Sequence, residues 1–357
     1  MTTHLKYASL ALAVGLFGCS EQPISSANKP SAENHEAVNI ANVRSHIKTL
    51  ASDEFLGRGP LTEGETLTIN YLADEYKKLG LTGSYNGEFL QPVTMAKLTP
   101  DQNMTLKVGD LSFNAGSDFT ARTQQINPEI NIDGSDVVFV GYGINAPEYN
   151  WDDFADIDVK GKTIIVLVND PGFATQDEAL FTGNAMTYYG RWTYKYEEGA
   201  RQGAKAVFIV HETAPAAYPW SVVESSNTGS KYTLIDQEKN VSDIPVMGWI
   251  DEQAANEIFA QAGLDYQTEK ANALKADFIP VDLNAKAELT LQSDISQAQS
   301  HNVVATLKGS ETPDEYIVIG AHWDHFGTKQ TDDGVKIYNG AVDNASGSAA
   351  TVEIARI

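Results

Sequence analysis

The stretch of sequence that decides the fold reads Tyr316-Ile317-Val318-Ile319-Gly320-Ala321-His322-Trp323-Asp324-His325. Its apolar first half predicts a buried β-strand, and its second half places histidine and aspartate at the carboxyl end of that strand. Open α/β sheets present their functional sites at this end. His322 and Asp324 are two residues apart, so both side chains point to the same side of an extended chain. A carboxylate beside an imidazole can hold one ring nitrogen and leave the other free for a metal.

A second acidic position follows in a run of small residues, Asn339-Gly340-Ala341-Val342-Asp343-Asn344-Ala345-Ser346-Gly347. The glycines permit a tight turn, and residues 351–355 predict a helix. Asp343 would then lie near the helix N-terminus, where the helix dipole favours a carboxylate. Two interpretations stay open from the residues alone. Either Asp343 is an N-cap and the His-Asp pair is an exposed strand end, or the three side chains belong to a metal site.

The rest of the chain alternates helical and strand patterns, which predicts the α/β class. Apolar residues spaced by three and four predict a helix that ends near residue 50, and a second helix covers residues 66–79 before Gly80. Within residues 137–250, apolar runs at 163–168 and 206–210 predict buried strands on either side of a helix at 195–202. We interpret this region as a separate α/β unit. Its aromatic residues at 188–196 favour a core or domain-contact stripe over a binding surface.

The N-terminus has the layout of an export signal. Lys6 precedes an apolar run that ends Leu16-Phe17-Gly18-Cys19, and this end resembles the lipobox of bacterial lipoproteins. Cys19 is the only cysteine, so the chain cannot form an internal disulfide after export. We expect residues 1–18 to be a signal peptide, Cys19 to carry a lipid anchor in the bacterial outer membrane, and residues 19–36 to be a flexible tether. An ordinary secretory signal with an incidental cysteine is the alternative.

The composition excludes several classes of partner. The 357 residues include 25 Lys and Arg against 48 Asp and Glu, which gives a net charge of −23. Nucleic-acid surfaces and anionic membrane surfaces both need clustered cations, so neither is an expected partner. No apolar stretch after the N-terminus is long enough to span a bilayer, so contact with a membrane is expected only through the lipid anchor.

Several segments resemble metallopeptidase family 28, which includes bacterial leucyl aminopeptidase and glutamate carboxypeptidase. The motifs that carry the resemblance are those at residues 319–325 and 340–347, supported by residues 50–60 and the helix that follows them. Residues 137–250 resemble the protease-associated (PA) domain often inserted in this family. The resemblance implies a three-layer α/β/α catalytic domain formed by residues 37–130 and 291–357. A β-rich, PA-like α/β domain at residues 131–290 would be inserted in it.

The resemblance also assigns roles to individual residues. His322 matches the ligand of one zinc ion, Asp343 matches the carboxylate that bridges two zinc ions, and Asp324 matches the catalytic acid that orients the histidine. His325 matches no ligand, and we expect it to have a structural or rim role. The family's Glu-Glu pair, its later acidic ligand and its final histidine have no counterpart after Asp343. We therefore expect an incomplete catalytic domain and a 357-residue chain that is inactive or at most an inefficient peptidase.

These features predict a zinc-dependent aminopeptidase that acts on peptide substrates through water activated by two zinc ions. Two alternatives stay open. One is an enzyme similar to glutamate carboxypeptidase, and the other is a non-enzymatic surface lipoprotein that binds peptide or protein through its PA-like domain. The residues do not choose between the two directions of exopeptidase action, and they do not indicate an oligomeric state.

Overall fold

The computed structural model describes residues 38–357. The proposed signal peptide, tether and lipidation site at Cys19 lie outside these residues. The helices of the described region are α1 (Ile40–Leu50), α2 (Glu63–Lys78), α3 (Pro171–Thr175), α4 (Trp192–Arg201), α5 (Thr213–Ala216), α6 (Trp220–Asn227), α7 (Glu252–Gln261), α8 (Tyr266–Asn272) and α9 (Ser346–Arg356). In the same region, no helix is long and apolar enough to cross a membrane.

The strands are short, with three exceptions of eleven residues or more. In chain order they are β1 (Thr82–Gly83), β2 (Leu90–Pro100), β3 (Thr105–Val108), β4 (Leu111–Asn114), β5 (Phe119–Arg122), β6 (Glu129–Phe139), β7 (Asn145–Ala146), β8 (Trp151–Asp152), β9 (Thr163–Leu167), β10 (Ala206–Val210), β11 (Lys231–Leu234), β12 (Val246–Ile250), β13 (Val281–Val303), β14 (Ala305–Thr306), β15 (Thr328–Thr331) and β16 (Gly334–Ile337). The mixture of helices and sheets confirms the α/β class.

One large sheet runs through the molecule in the order β11-β2-β13-β6-β9-β10-β12-β5. Strands β6, β9, β10 and β12 are parallel, and β5 closes one edge by pairing antiparallel to β12. The 23-residue strand β13 pairs with β6 through its first half and with β2 through its second half. It therefore carries the chain from the parallel part of the sheet towards the C-terminal motifs.

The parallel strands are apolar on both faces because each face is covered. All five residues of β9, β10 and β12 are buried. Alternate residues of β6 enter different cores, so that Phe139 packs on one side and Val138 on the other. The predicted helix between β9 and β10 is present as α4, and Gly203 follows it with a φ of 74°. A left-handed conformation of this kind commonly ends a helix.

Three helices and their connecting loops form the part of the molecule that carries the His-Asp motif. Helix α9 packs against α1 and α2, and Leu50, Leu72, Ala345 and Val352 form a small buried cluster between them. The carboxylate of Glu353 accepts a hydrogen bond from the Asn39 backbone N–H at 2.6 Å, which ties α9 to the start of α1. The position of α9 is thus fixed by both apolar and polar contacts.

The predicted strand at residues 316–320 is wrong. This segment forms no ladder with any strand of the described region, and Ile317 and Val318 are 93% and 90% exposed. An apolar run predicts a strand only when a neighbouring strand is present to accept its backbone hydrogen bonds. The motif at residues 319–325 therefore follows an exposed segment outside any sheet of the described region, whereas the sequence predicted a buried strand end.

Candidate metal centre

His322 and Asp324 lie on one side of the loop, as their spacing predicts. The Nδ1 atom of His322 is 3.2 Å from the backbone oxygen of Asp324 and 3.4 Å from its Oδ1. Both neighbours are acceptors, so these contacts suit the tautomer that carries its proton on Nδ1. In that tautomer a metal would bind the imidazole through Nε2.

Asp343 faces the other ring nitrogen of His322, Nε2. Its Oδ1 is 3.2 Å from His322 Nε2, and its Oδ2 is 3.7 Å from Nδ1 of His325. The side chains of His322 and Asp343 are 55% and 64% exposed, so the pair opens to solvent. Asp343, in the motif at residues 340–347, therefore lies beside His322, in the motif at residues 319–325, as is needed if the two belong to one site.

Asp343 does not cap helix α9. It lies in the turn Ala341–Ala345 with φ −109° and ψ 99°, which is not a helical conformation. The side-chain oxygen of Asn344 accepts the hydrogen bond from the Gly347 N–H at 3.1 Å instead. Because Asn344 supplies this acceptor at the helix start, the carboxylate of Asp343 is left to face the two histidines.

The side chain of Arg58 binds the backbone of both loops that carry the site residues. This side chain is fully buried and makes four hydrogen bonds to backbone carbonyl oxygens. The acceptors are Leu50 at 2.6 Å, Trp323 at 2.9 Å, Asn339 at 2.6 Å and Gly340 at 2.8 Å. Burial lowers the pKa of Arg58, and the nearby carboxylates of Asp324 and Asp343 oppose this effect. One guanidinium therefore connects the end of α1 to the loops that carry His322 and Asp343.

The backbone beside Arg58 adds further support. The His325 N–H donates to the Arg58 oxygen at 3.1 Å, and the Gly327 N–H donates to the Gly57 oxygen at 2.9 Å. Gly57 has a φ of 65°, and a Cβ at this position would overlap the Gly327 oxygen and lie 2.6 Å from the Tyr338 oxygen. Only glycine fits this close approach without strain.

The sequence did not predict the role of Arg58. Residues 50–60 contributed only through their resemblance to a family. A lone arginine between two glycines, Gly57 and Gly59, is the available signal. Its meaning depends on backbone carbonyls that come from distant parts of the chain. His325, for which the expected role is structural or at the rim, has a side chain only 13% exposed beside Asp343.

The donor atoms fit part of a zinc site. Neutral imidazole nitrogen and carboxylate oxygen are both common zinc ligands. Among residues 38–357, however, no group of three or more His, Cys, Asp or Glu side chains is arranged so that it could hold a metal ion. His322 and Asp343 would hold the ion as two protein ligands, with the remaining positions open to other donors.

Residues 302–357 match the model of Peptidase family M28. We refer to residues 302–357 as the family M28 segment because of this match. It contains His322, Asp324 and Asp343, so the resemblance expected for these motifs is confirmed over this part of the chain.

The curated relatives carry related names. A "Probable zinc metalloprotease" of Pyrenophora teres f. teres (strain 0-1) is 49% identical over 59 residues, which are 15% of this chain and 12% of the relative. A "Glutamate carboxypeptidase 2 homolog" of Caenorhabditis elegans is 24% identical over 251 residues, which are 62% of this chain and 30% of the relative. The matches thus span 30% or less of the length of these relatives.

Two solved structures align over 89% of this chain. The aminopeptidase from Aneurinibacillus sp. strain AM-1 gives a TM-score of 0.44 at 22% identity, and 58% of its chain is covered. BSAP, a zinc aminopeptidase from Bacillus subtilis, gives a TM-score of 0.38 at 16% identity, and 57% of its chain is covered.

Proposed function

We propose that this protein is a zinc-dependent exopeptidase and that its action is that of an aminopeptidase. One observation carries the proposal. Within the family M28 segment, His322 Nε2 faces Asp343 at 3.2 Å while its Nδ1 is engaged by Asp324. An imidazole held in this tautomer beside an accessible carboxylate is prepared to bind a metal.

Each side chain has a distinct part in this proposal. His322 donates its Nε2 lone pair, and Asp324 holds the ring in the required tautomer and orientation. Asp343 supplies the carboxylate, and its second oxygen, which faces His325, is available to a second ion. When bound, zinc lowers the pKa of its water and polarises the substrate carbonyl. We propose that two ions share Asp343, as the resemblance implies.

An exopeptidase can remove residues from the N-terminus or from the C-terminus of a peptide. The relative named as a glutamate carboxypeptidase homolog favours the carboxypeptidase alternative, whereas an open site at exposed His322 and Asp343 is compatible with either direction. A non-enzymatic protein that binds peptide through a PA-like domain at residues 131–290 is the third candidate.

The experiment compares zinc-dependent hydrolysis of leucine p-nitroanilide with that of an N-acylated dipeptide ending in glutamate. Residues 38–357 bring only two protein donors together, so we expect a low rate, and the readout is the difference between wild type and His322→Ala. Aminopeptidase action predicts a zinc-dependent rate on the nitroanilide that His322→Ala removes. Hydrolysis of the blocked dipeptide alone would support the carboxypeptidase, and no zinc-dependent rate on either substrate would contradict the enzymatic proposal.

We also propose that Cys19 anchors the protein to the outer membrane. The proposal rests on the lipobox-like end of the N-terminal apolar run and on the absence of any other cysteine. Cys19→Ser should move the protein from the detergent phase to the aqueous phase after Triton X-114 separation. Unchanged partitioning of this variant would refute the anchor.

A further inference from the structure

A small aromatic pocket lies at the edge of the large sheet, away from the metal centre. It has a volume of about 190 Å³ and lies between α6, the start of α4, and strands β5 and β12. Its walls include Trp192, Tyr218 and Trp249. Small-molecule sites commonly measure about 300–1,000 Å³, so this pocket suits one residue-sized group and not a large cofactor.

Arg122 brings a positive charge to this pocket. Its Nε donates to Asn227 Oδ1 at 3.1 Å, and its guanidinium lies 6.0 Å from the centre of the Trp192 ring. Within residues 38–357, Arg122 forms no ion pair with a carboxylate. Burial lowers the pKa of Arg122, and Tyr196 is the group that opposes this effect. A half-buried cation without an anionic partner is costly, so its presence calls for a compensating ligand.

A second cation lies close to Arg122. Lys231, at the start of β11, is half-buried, and both burial and the charge of Arg122 lower its pKa. It also lacks a carboxylate partner in the part of the chain that the structure describes. Two neighbouring cations without acidic partners are unexpected in a protein with a net charge of −23. Lys231 does not line the pocket, but its positive charge adds to that of Arg122 and makes the pocket more attractive to an anion.

The uncharged groups of the pocket indicate what else the ligand contains. The Tyr218 hydroxyl and the Trp249 indole N–H form no hydrogen bond with any residue from 38 to 357, and neither atom is fully buried, so both are accessible to a ligand. Aromatic walls of this kind hold a flat or branched apolar group. The ligand therefore combines an anionic group with an apolar one.

We propose that this pocket binds the C-terminal residue of a peptide, with Arg122 holding the carboxylate and the three aromatic side chains holding an apolar side chain. The planar guanidinium matches a carboxylate through paired hydrogen bonds. A free amino acid is disfavoured because Arg122 and Lys231 repel its ammonium group, whereas the amide nitrogen of a peptide is neutral. Binding here needs neither the metal nor peptide hydrolysis, so it can be tested separately from the proposed activity.

Isothermal titration calorimetry on the 357-residue chain tests this proposal with four probes. N-acetyl-phenylalanine should bind at least tenfold more tightly than N-acetyl-phenylalaninamide, phenylalanine or inorganic phosphate. Equal affinity for the amide would refute the role of the carboxylate, and equal affinity for phenylalanine would refute the preference for a peptide end. Equal affinity for phosphate would refute the apolar part of the site.

Two variants test whether Arg122 is the residue that binds the carboxylate. Arg122→Gln should weaken binding of N-acetyl-phenylalanine at least tenfold. Arg201→Gln is the matched control, because Arg201 lies on nearby α4 but is paired with Glu198 at 2.8 Å. Unchanged affinity in Arg122→Gln would overturn the proposal. If Arg122→Gln does not fold, the comparison of the four probes on the wild-type chain still decides the outcome.

Discussion

Replacing Arg58 by methionine should loosen the metal centre without unfolding the large sheet. Methionine keeps most of the apolar stem and removes every donor of the guanidinium. Four carbonyl oxygens lose the guanidinium as a donor, and those of Trp323, Asn339 and Gly340 belong to the two loops of the site. The backbone bonds that remain are those from His325 and Gly327 to the segment of Gly57 and Arg58, and the bond from the Tyr338 N–H to the Gly327 oxygen, which joins the two loops.

The change in the free energy of local opening follows from the hydrogen bonds that Arg58→Met removes. A hydrogen bond from a charged donor contributes about 1.5–3 kcal/mol, so the two bonds to Asn339 and Gly340 alone correspond to about 3–6 kcal/mol. Part of this free energy is offset, because the variant no longer buries a cation, a cost that is visible in the lowered pKa of Arg58. We expect the free energy of local opening to fall by about 2–4 kcal/mol, or roughly 30- to 700-fold faster amide exchange.

Hydrogen–deuterium exchange measures this opening directly. Amides in residues 320–345, including those of His325, Gly327 and Tyr338, should exchange faster in Arg58→Met, and those of β10 should not change. Arg58→Lys should fall between the two, because one ammonium cannot reach all the carbonyls. Arg201→Met, at an exposed arginine, is the control and should leave residues 320–345 unchanged. Unchanged exchange in these residues, or equally faster exchange throughout the protein, would refute the positioning role of Arg58.

Two further substitutions test the packing around the site. Gly57→Ala should lower the melting temperature by more than Gly80→Ala. Both glycines have positive φ, but only a Cβ at position 57 would meet backbone atoms. Equal losses of melting temperature would show that the close approach to Gly327 is unimportant. The hydrogen bonds from Arg356 and from the Asn39 N–H lower the pKa of Glu353 to about 2, below its ordinary value. The ionised Glu353 therefore stabilises the folded protein fully above about pH 4.5, and this contribution is lost as the pH falls towards 2. Thermal melts between pH 2 and 6 should therefore show a smaller acid loss for Glu353→Gln than for wild type, and identical profiles would contradict this linkage.

Local periodicity predicted the elements whose packing repeats along the chain. Helices α1 and α2 and strands β9 and β10 were predicted because their apolar residues follow the helical spacing or form short continuous runs. The same rule failed at residues 316–320, where the apolar run lacks a neighbouring strand in the described region. Strand formation depends on that partner, and a partner cannot be deduced from the run itself.

Only part of the candidate site could be predicted, because some of its contacts join distant parts of the chain. The spacing of His322 and Asp324 is local, so their shared side could be deduced. For Asp343 the residues left an N-cap and a metal ligand open, and the capping bond made by Asn344 is a property of the folded turn. Arg58 was missed because its partners are backbone carbonyls, which any residue type provides.

Zinc binding to wild type, His322→Ala, Asp343→Ala and His325→Ala is the measurement that tests the central claim most directly. Titration of the metal-free chain by calorimetry should show at least tenfold weaker binding in His322→Ala and Asp343→Ala, because each removes one of the two proposed ligands. His325→Ala should keep most of the affinity. Unchanged zinc affinity in His322→Ala, or equal losses in His322→Ala and His325→Ala, would contradict the assignment of His322 as the ligand.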